Sequence, residues 1–133
     1  MEIAPTVGAD GADNGYTALV AKFTVLQNAA ATLLAEAERL SVRMRANADA
    51  ATVVSELCAV AEVDARHVAN VAEVGAAFGR VANGCTGLMG AADTLHTTVG
   101  RLKTEHQAEY GGIYEAVAAS GVRQARPGFY RPQ

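Results

Sequence analysis

Between residues 16 and 44 one stripe restricts what this chain can become. Tyr16, Leu19, Phe23, Leu26, Ala30, Leu33, Ala37, Leu40 and Met44 recur at alternating steps of three and four, and none is charged. A strand repeats every second residue, so this spacing belongs to a helix that buries a narrow seam against another helix, as in a coiled coil. At about 1.5 Å per residue such a helix is about 45 Å long, more than a small globular core requires. Val20 and Leu34 lie beside the stripe and widen it, which suits a bundle of three or four helices.

The 133 residues fit one domain. Half are apolar, but 29 are alanine and none is tryptophan. Alanine favours helix and buries little area, so the chain predicts long helices over a thin seam, with modest stability. A net charge of −3 gives no general attraction to nucleic acid or anionic membrane. Cys58 and Cys85 form no CxxC pattern and read as reduced, small buried side chains in a cytoplasmic protein. Residues 1–15 lack the basic start and apolar run of a signal peptide. The longest uncharged run, 23–35, has 13 residues against the ~20 that cross a bilayer, so the expectation is a soluble protein without a membrane span.

Along the chain, 1–15 reads as a disordered leader, with Asp13 or Asn14 as an N-cap. A first helix is expected over 16–46, with Arg39, Arg43 and Arg45 near its C-terminus complementing the helix dipole. Asn47, Ala48 and Asp49 offer a connection. A second stripe then reads Val53, Leu57, Val60, Asp64, His67, Val71, Val74, Phe78 and Val81, for a helix over 50–82. Asn83 and Gly84 make a helix stop, yet the stripe resumes in phase as Cys85, Leu88, Ala92, Leu95, Val99, Leu102 and His106. The two segments either break there or continue as one rod, and Gly79, Gly84, Gly87 and Gly90 favour the break. The third helix, 86–110, is expected to end at Gly111-Gly112, before a short helical piece at 113–119 and an extended tail at 120–133. Short connections make neighbours antiparallel. The expected fold is all-α: an antiparallel three-helix bundle or extended helical hairpin, in which the later stripes bury the first within one molecule.

Catalytic chemistry finds little footing. Asp64/His67 and Asp93/His96 are D-x-x-H pairs of the kind that build dimetal sites in bundles. Folding back at Asn83-Gly84 would set them about 15 Å apart along the axis, too far to share a metal. Pairing of Asp64 with Lys103 across the seam is the favoured reading. His106 reads as a half-buried seam residue, and no serine or cysteine stands in a strand-turn-helix setting beside a base. The glycines at 84–90 lack the Lys-Ser/Thr ending of a phosphate loop. No catalytic residue, cofactor, metal or small-molecule substrate is indicated.

The tail carries a different signal. Arg123, Arg126, Phe129, Tyr130 and Arg131 place an aromatic pair among cations on a segment that cannot bury them alone. This is the pattern of a short motif that docks on a protein partner, ahead of packing on its own bundle or contacting nucleic acid. Residues 101–131, with the step "H…YGGIYEAV" and the ending "ARPGFYR", resemble a family of small alanine-rich helical proteins of actinobacterial conjugative plasmids. These are commonly labelled small conjugal transfer proteins of the TraB type and are distinct from the large FtsK-like DNA translocase. The matching residues are Tyr114, Arg126, Pro127, Gly128, Phe129 and Tyr130. The resemblance implies an accessory role in plasmid transfer through protein contacts, and it brings no catalytic residues.

The expectation is therefore a non-enzymatic adaptor that binds a larger protein through its tail. A small secreted hairpin similar to the WXG-type proteins is the alternative, although no Trp-x-Gly stands at the expected turn. A DNA-binding accessory protein is a third, disfavoured by the acidic bundle. Apolar surface left over on the first helix, at Val20 and Leu34, allows a homo-oligomer.

Overall fold

The computed structural model describes residues 15–120, and all of them serve one helical hairpin. Helix α1 spans Tyr16–Val60 and helix α2 spans Ala65–Ser120, packed antiparallel along their lengths. Of the two architectures the pattern allowed, the hairpin is the one formed. Gly15 occupies the N-cap of α1 in extended backbone and makes no side-chain cap. Asp13, Asn14 and the rest of the leader lie outside the described residues, as does the tail beyond Ser120.

The breaks expected at Asn47-Ala48-Asp49, Asn83-Gly84 and Gly111-Gly112 do not occur. Single glycines and asparagines cost up to ~1 kcal/mol each in a helix interior, and a long shared seam outweighs them. Gly75 is helical and buried against Ala51, and Gly111 lies buried under the Tyr16 hydroxyl. Arg39, Arg43 and Arg45 therefore stand in the middle of α1, away from its C-terminal dipole. Arg39 pairs with Glu36 one turn back.

The reversal lies at 61–64, inside the stretch expected to run as one helix over 50–82 with Asp64 on its stripe. Glu62 adopts the left-handed conformation (φ 58°) just past the end of α1. Its N–H donates to the Ala59 carbonyl at 3.1 Å, and the Val63 N–H donates to the Cys58 carbonyl at 3.0 Å. Those two bonds make a Schellman C-cap, which satisfies carbonyls that the last turn leaves open. Asp64 then caps α2: its Oδ1 accepts from the Arg66 N–H at 2.8 Å. A glutamate at the position that glycine usually fills hid this turn from pattern reading.

Burial divides the first stripe in two. Ala30 and Ala37 are buried at the seam, and Tyr16, Phe23 and Met44 are half-buried. Between them the seam takes Val20, Gln27, Leu34 and Ser41; Leu26 and Leu40 stay exposed. On α2 the seam runs through Gly75, Ala82, Cys85, Ala92 and Val99. Val99 is the one large side chain among the buried apolar residues described, and the others are alanine or cysteine. Side chains this small draw two helices toward the short end of the ~8–10 Å range of helix separations.

Candidate protein-binding surfaces

Contacts across the seam define its level and its sides. Gln27 lies against Gly100, and Arg45 Nη2 donates to Thr86 Oγ1 at 3.4 Å. Near the turn, Ala48 and Ala51 meet Gly75, and Ser55 Oγ donates to the Val68 carbonyl at 3.3 Å. Gln27, Arg45, Thr86 and Gly100 mark one flank of the hairpin, and that flank is polar. Two antiparallel right-handed helices turn equivalent heptad positions to the same side, so the opposite flank collects the residues one step round from the seam.

That opposite flank is a ladder of large apolar side chains, interrupted on α1 by the polar Asn47. From α1 it takes Leu26, Leu33, Leu40, Asn47 and Val54, seven residues apart. From α2 it takes Leu102, Leu95, Leu88, Val81 and Val74, also seven apart and each within about a turn of its partner's level. Leu26, Leu40, Val54 and all five from α2 keep between 40% and 52% of their surface in solvent. Scattered exposed leucines need no explanation, but a contiguous row does. α1 also carries a window of mean hydropathy 1.4, enough by length and composition to cross a membrane. In the hairpin its apolar residues are spread over seam, ladder and back, where Val25, Val42 and Val53 are exposed.

The open end is built differently. Tyr16, at the start of α1, stacks on His106 with ring centroids 5.1 Å apart and meets Tyr114 at 4.8 Å. Phe23 stands edge-on to His106 at 5.8 Å, and Tyr110 flanks the same ring at 5.3 Å. His106 Nε2 lies 3.4 Å from the Tyr16 carbonyl, so the imidazole is a half-buried piece of the seam, as its place on the third stripe predicts. Aromatic contacts of this type contribute roughly 0.5–1.5 kcal/mol each beyond burial, which clamps the end that no loop closes. An open groove of about 530 Å³ runs beside the clamp, lined by Phe23, Leu102, Glu105, His106, Glu109 and Tyr110. Beyond it α2 continues to Ser120 with Ile113, Tyr114 and Val117 exposed.

Several sequence expectations fall differently. Asp64 caps the turn, and Lys103 lies on the same helix roughly 58 Å further along, so the two do not pair. Asp93/His96 likewise lies roughly 44 Å along α2 from Asp64/His67, not the 15 Å that a three-helix fold would give. No group of three or more His, Cys, Asp or Glu side chains comes together among the described residues. Cys58 is half-buried and Cys85 buried, and both are free thiols. Arg123, Arg126, Phe129, Tyr130 and Arg131 lie outside the described residues. The stripes contained the clamp, since Tyr16 opens the first and His106 closes the third. The ladder was present too, but counted as seam.

No family model, no curated protein and no solved structure matches this chain.

Proposed function

We propose that this protein is a non-enzymatic helical adaptor acting in plasmid conjugal transfer, and that it engages a larger protein at its open end. The observation that carries the reading is the last two turns of α2. Ile113, Tyr114 and Val117 are exposed there and lead directly into the segment that holds Arg123, Arg126, Phe129, Tyr130 and Arg131. Exposed aromatic and aliphatic anchors beside arginines are the composition of binding hot spots. The hairpin, clamped by the Tyr16–His106 stack, is a rigid rod that holds this end away from the turn. The transfer role rests on the resemblance of 101–131.

The test is a transfer assay in a host that carries the element. Removing the gene lowers transfer frequency, the wild-type chain restores it, and Phe129→Ala/Tyr130→Ala does not. Full restoration by that double variant would remove the tail from the mechanism, and unchanged transfer without the gene would remove the role.

The two-helix form itself favours a second reading, a small exported hairpin similar to WXG-type proteins. The turn at 61–64 carries no tryptophan, which departs from that pattern. Recovery of the chain from culture supernatant, in the absence of a lysis marker, selects this reading over the first.

A further inference from the structure

We infer that the apolar ladder is the seat of a second copy of this chain, so that two hairpins close into a four-helix bundle. The inference goes beyond the adaptor reading and does not depend on it, since the ladder lies along the hairpin's side and the open end remains free.

Three observations lead to a second copy. The first is area. The ladder from Leu26 to Val54 spans about 42 Å of rise over two helices, together about 20 Å wide, or on the order of 800 Å² per copy. A standard stable interface buries about that much on each partner. The second is charge. The positions that border the ladder carry Lys22 and Arg43 against Glu36 and Glu105, two of each sign. A face of balanced sign meets its own copy without net repulsion, and it gives no advantage to a strongly acidic or basic partner. The third is side-chain size. Beside the large rungs the bordering positions on α2 include Ala77, Gly84 and Ala91. A Cβ added at Gly84 would meet nothing within 4 Å, so the backbone there is open to close approach. Large residues alternating with small ones on one face can interdigitate with the same face turned about a twofold axis.

A single hairpin also leaves its strongest driving force unused. Among the described residues its buried apolar side chains are five alanines, one cysteine and one valine, while Leu26, Leu40, Leu88, Leu95 and Leu102 keep 40–48% of their surface in solvent. Pairing through the ladder gives those leucines an interior and makes the wide apolar face of the sequence meaningful.

The experiment is sedimentation equilibrium on the full chain. The expected mass is twice the 13.7 kDa of one chain. Leu40→Glu/Leu88→Glu, which charges one rung on both helices, is expected to halve the observed mass while circular dichroism retains the helices. Val42→Glu, on the back of α1 where the valine is already 62% exposed, is expected to leave the dimer intact. If the rung variant unfolds, the wild type still decides, because a folding-linked dimer melts at a temperature that rises with concentration between about 2 and 200 µM. Two results overturn the inference. One is a wild-type chain that is monomeric with a concentration-independent melt, whether residues 121–133 or added phospholipid vesicles then cover the ladder. The other is a dimer that survives the rung variant and is lost with Val42→Glu.

Discussion

Seam and ladder lie on the same two helices and share a seven-residue period, yet they differ in the size of what they present. Inward stand Ala30, Ala37, Ser41 and Ala51 against Gly75, Ala82, Cys85 and Ala92; outward stand leucine and valine. Hydropathy alone ranks the leucines as the core. Packing reverses that order, because two long helices gain continuous contact only where neither has a side chain that holds the other away. The small stripe closes the hairpin, and the large stripe is left to meet something else.

The sharpest way to break that contrast is to enlarge the seam. Ala82 is 1% exposed, and leucine there has nowhere to go without separating the helices. Ala82→Leu is expected to lower stability by about 2–3 kcal/mol in urea unfolding. In the single hairpin, at a concentration too low for two copies to pair, Leu95→Ala removes a side chain that is 40% exposed and is expected to cost less than half as much. A seam that accepts leucine at no cost would show that size does not divide the two faces.

How much of this could be read from residues alone follows the same division. The helical period and the all-α class were legible, because alternating steps of three and four admit no other element. The helix lengths were not, since the segments expected over 16–46, 50–82 and 86–110 form two helices, Tyr16–Val60 and Ala65–Ser120. The positions Tyr16, Phe23, Ala30, Ala37 and Met44 were placed on the seam correctly. Their companions were not: Leu26 and Leu40 were taken as seam, while Gln27 and the buried Ser41 took those places. A stripe three residues wide has two edges, and hydropathy favoured the edge with leucine. The turn was missed for a related reason. Asn47 and Gly84 are stronger local signals than Glu62, but local preference of ~1 kcal/mol cannot interrupt a seam that gains by continuing. For the binding surfaces, the tail was legible as composition, whereas the ladder required knowing which flank the polar contacts of Arg45 and Gln27 occupy.

Ser41 offers a second test from inside the seam. It is 1% exposed, and its hydroxyl has no hydrogen-bond partner among the described residues. An orphaned buried hydroxyl costs free energy that an alanine of the same reach does not. Ser41→Ala is therefore expected to raise stability by about 1.5 kcal/mol, read as a higher urea midpoint with an unchanged slope. A lower midpoint would mean that the hydroxyl has a role the packing does not reveal. A smaller gain is expected on the surface away from both stripes. Gly90 is exposed, and a Cβ there meets nothing within 4 Å. Gly90→Ala is expected to add about 1 kcal/mol through helix propensity alone, with no change in assembly mass. A loss of stability at Gly90 would place a third contact surface on the back of α2.

The smallest effect expected is at the turn, which joins the two faces without belonging to either. Glu62 holds a left-handed backbone, where an L side chain costs roughly 1–2 kcal/mol. Glycine removes that strain but restores freedom to the unfolded chain, which returns about 0.5–1 kcal/mol of the gain. Glu62→Gly is therefore expected to stabilise the hairpin by about 0.5 kcal/mol while leaving seam, ladder and assembly mass unaltered. Its unfolding slope should match the wild type, since the buried surface is the same. If Glu62→Gly destabilises instead, the reversal at 61–64 depends on the glutamate side chain, and the Schellman geometry does not by itself determine where the helices turn back. The level at which Leu40 meets Leu88 would then be set by Glu62 as much as by the seam.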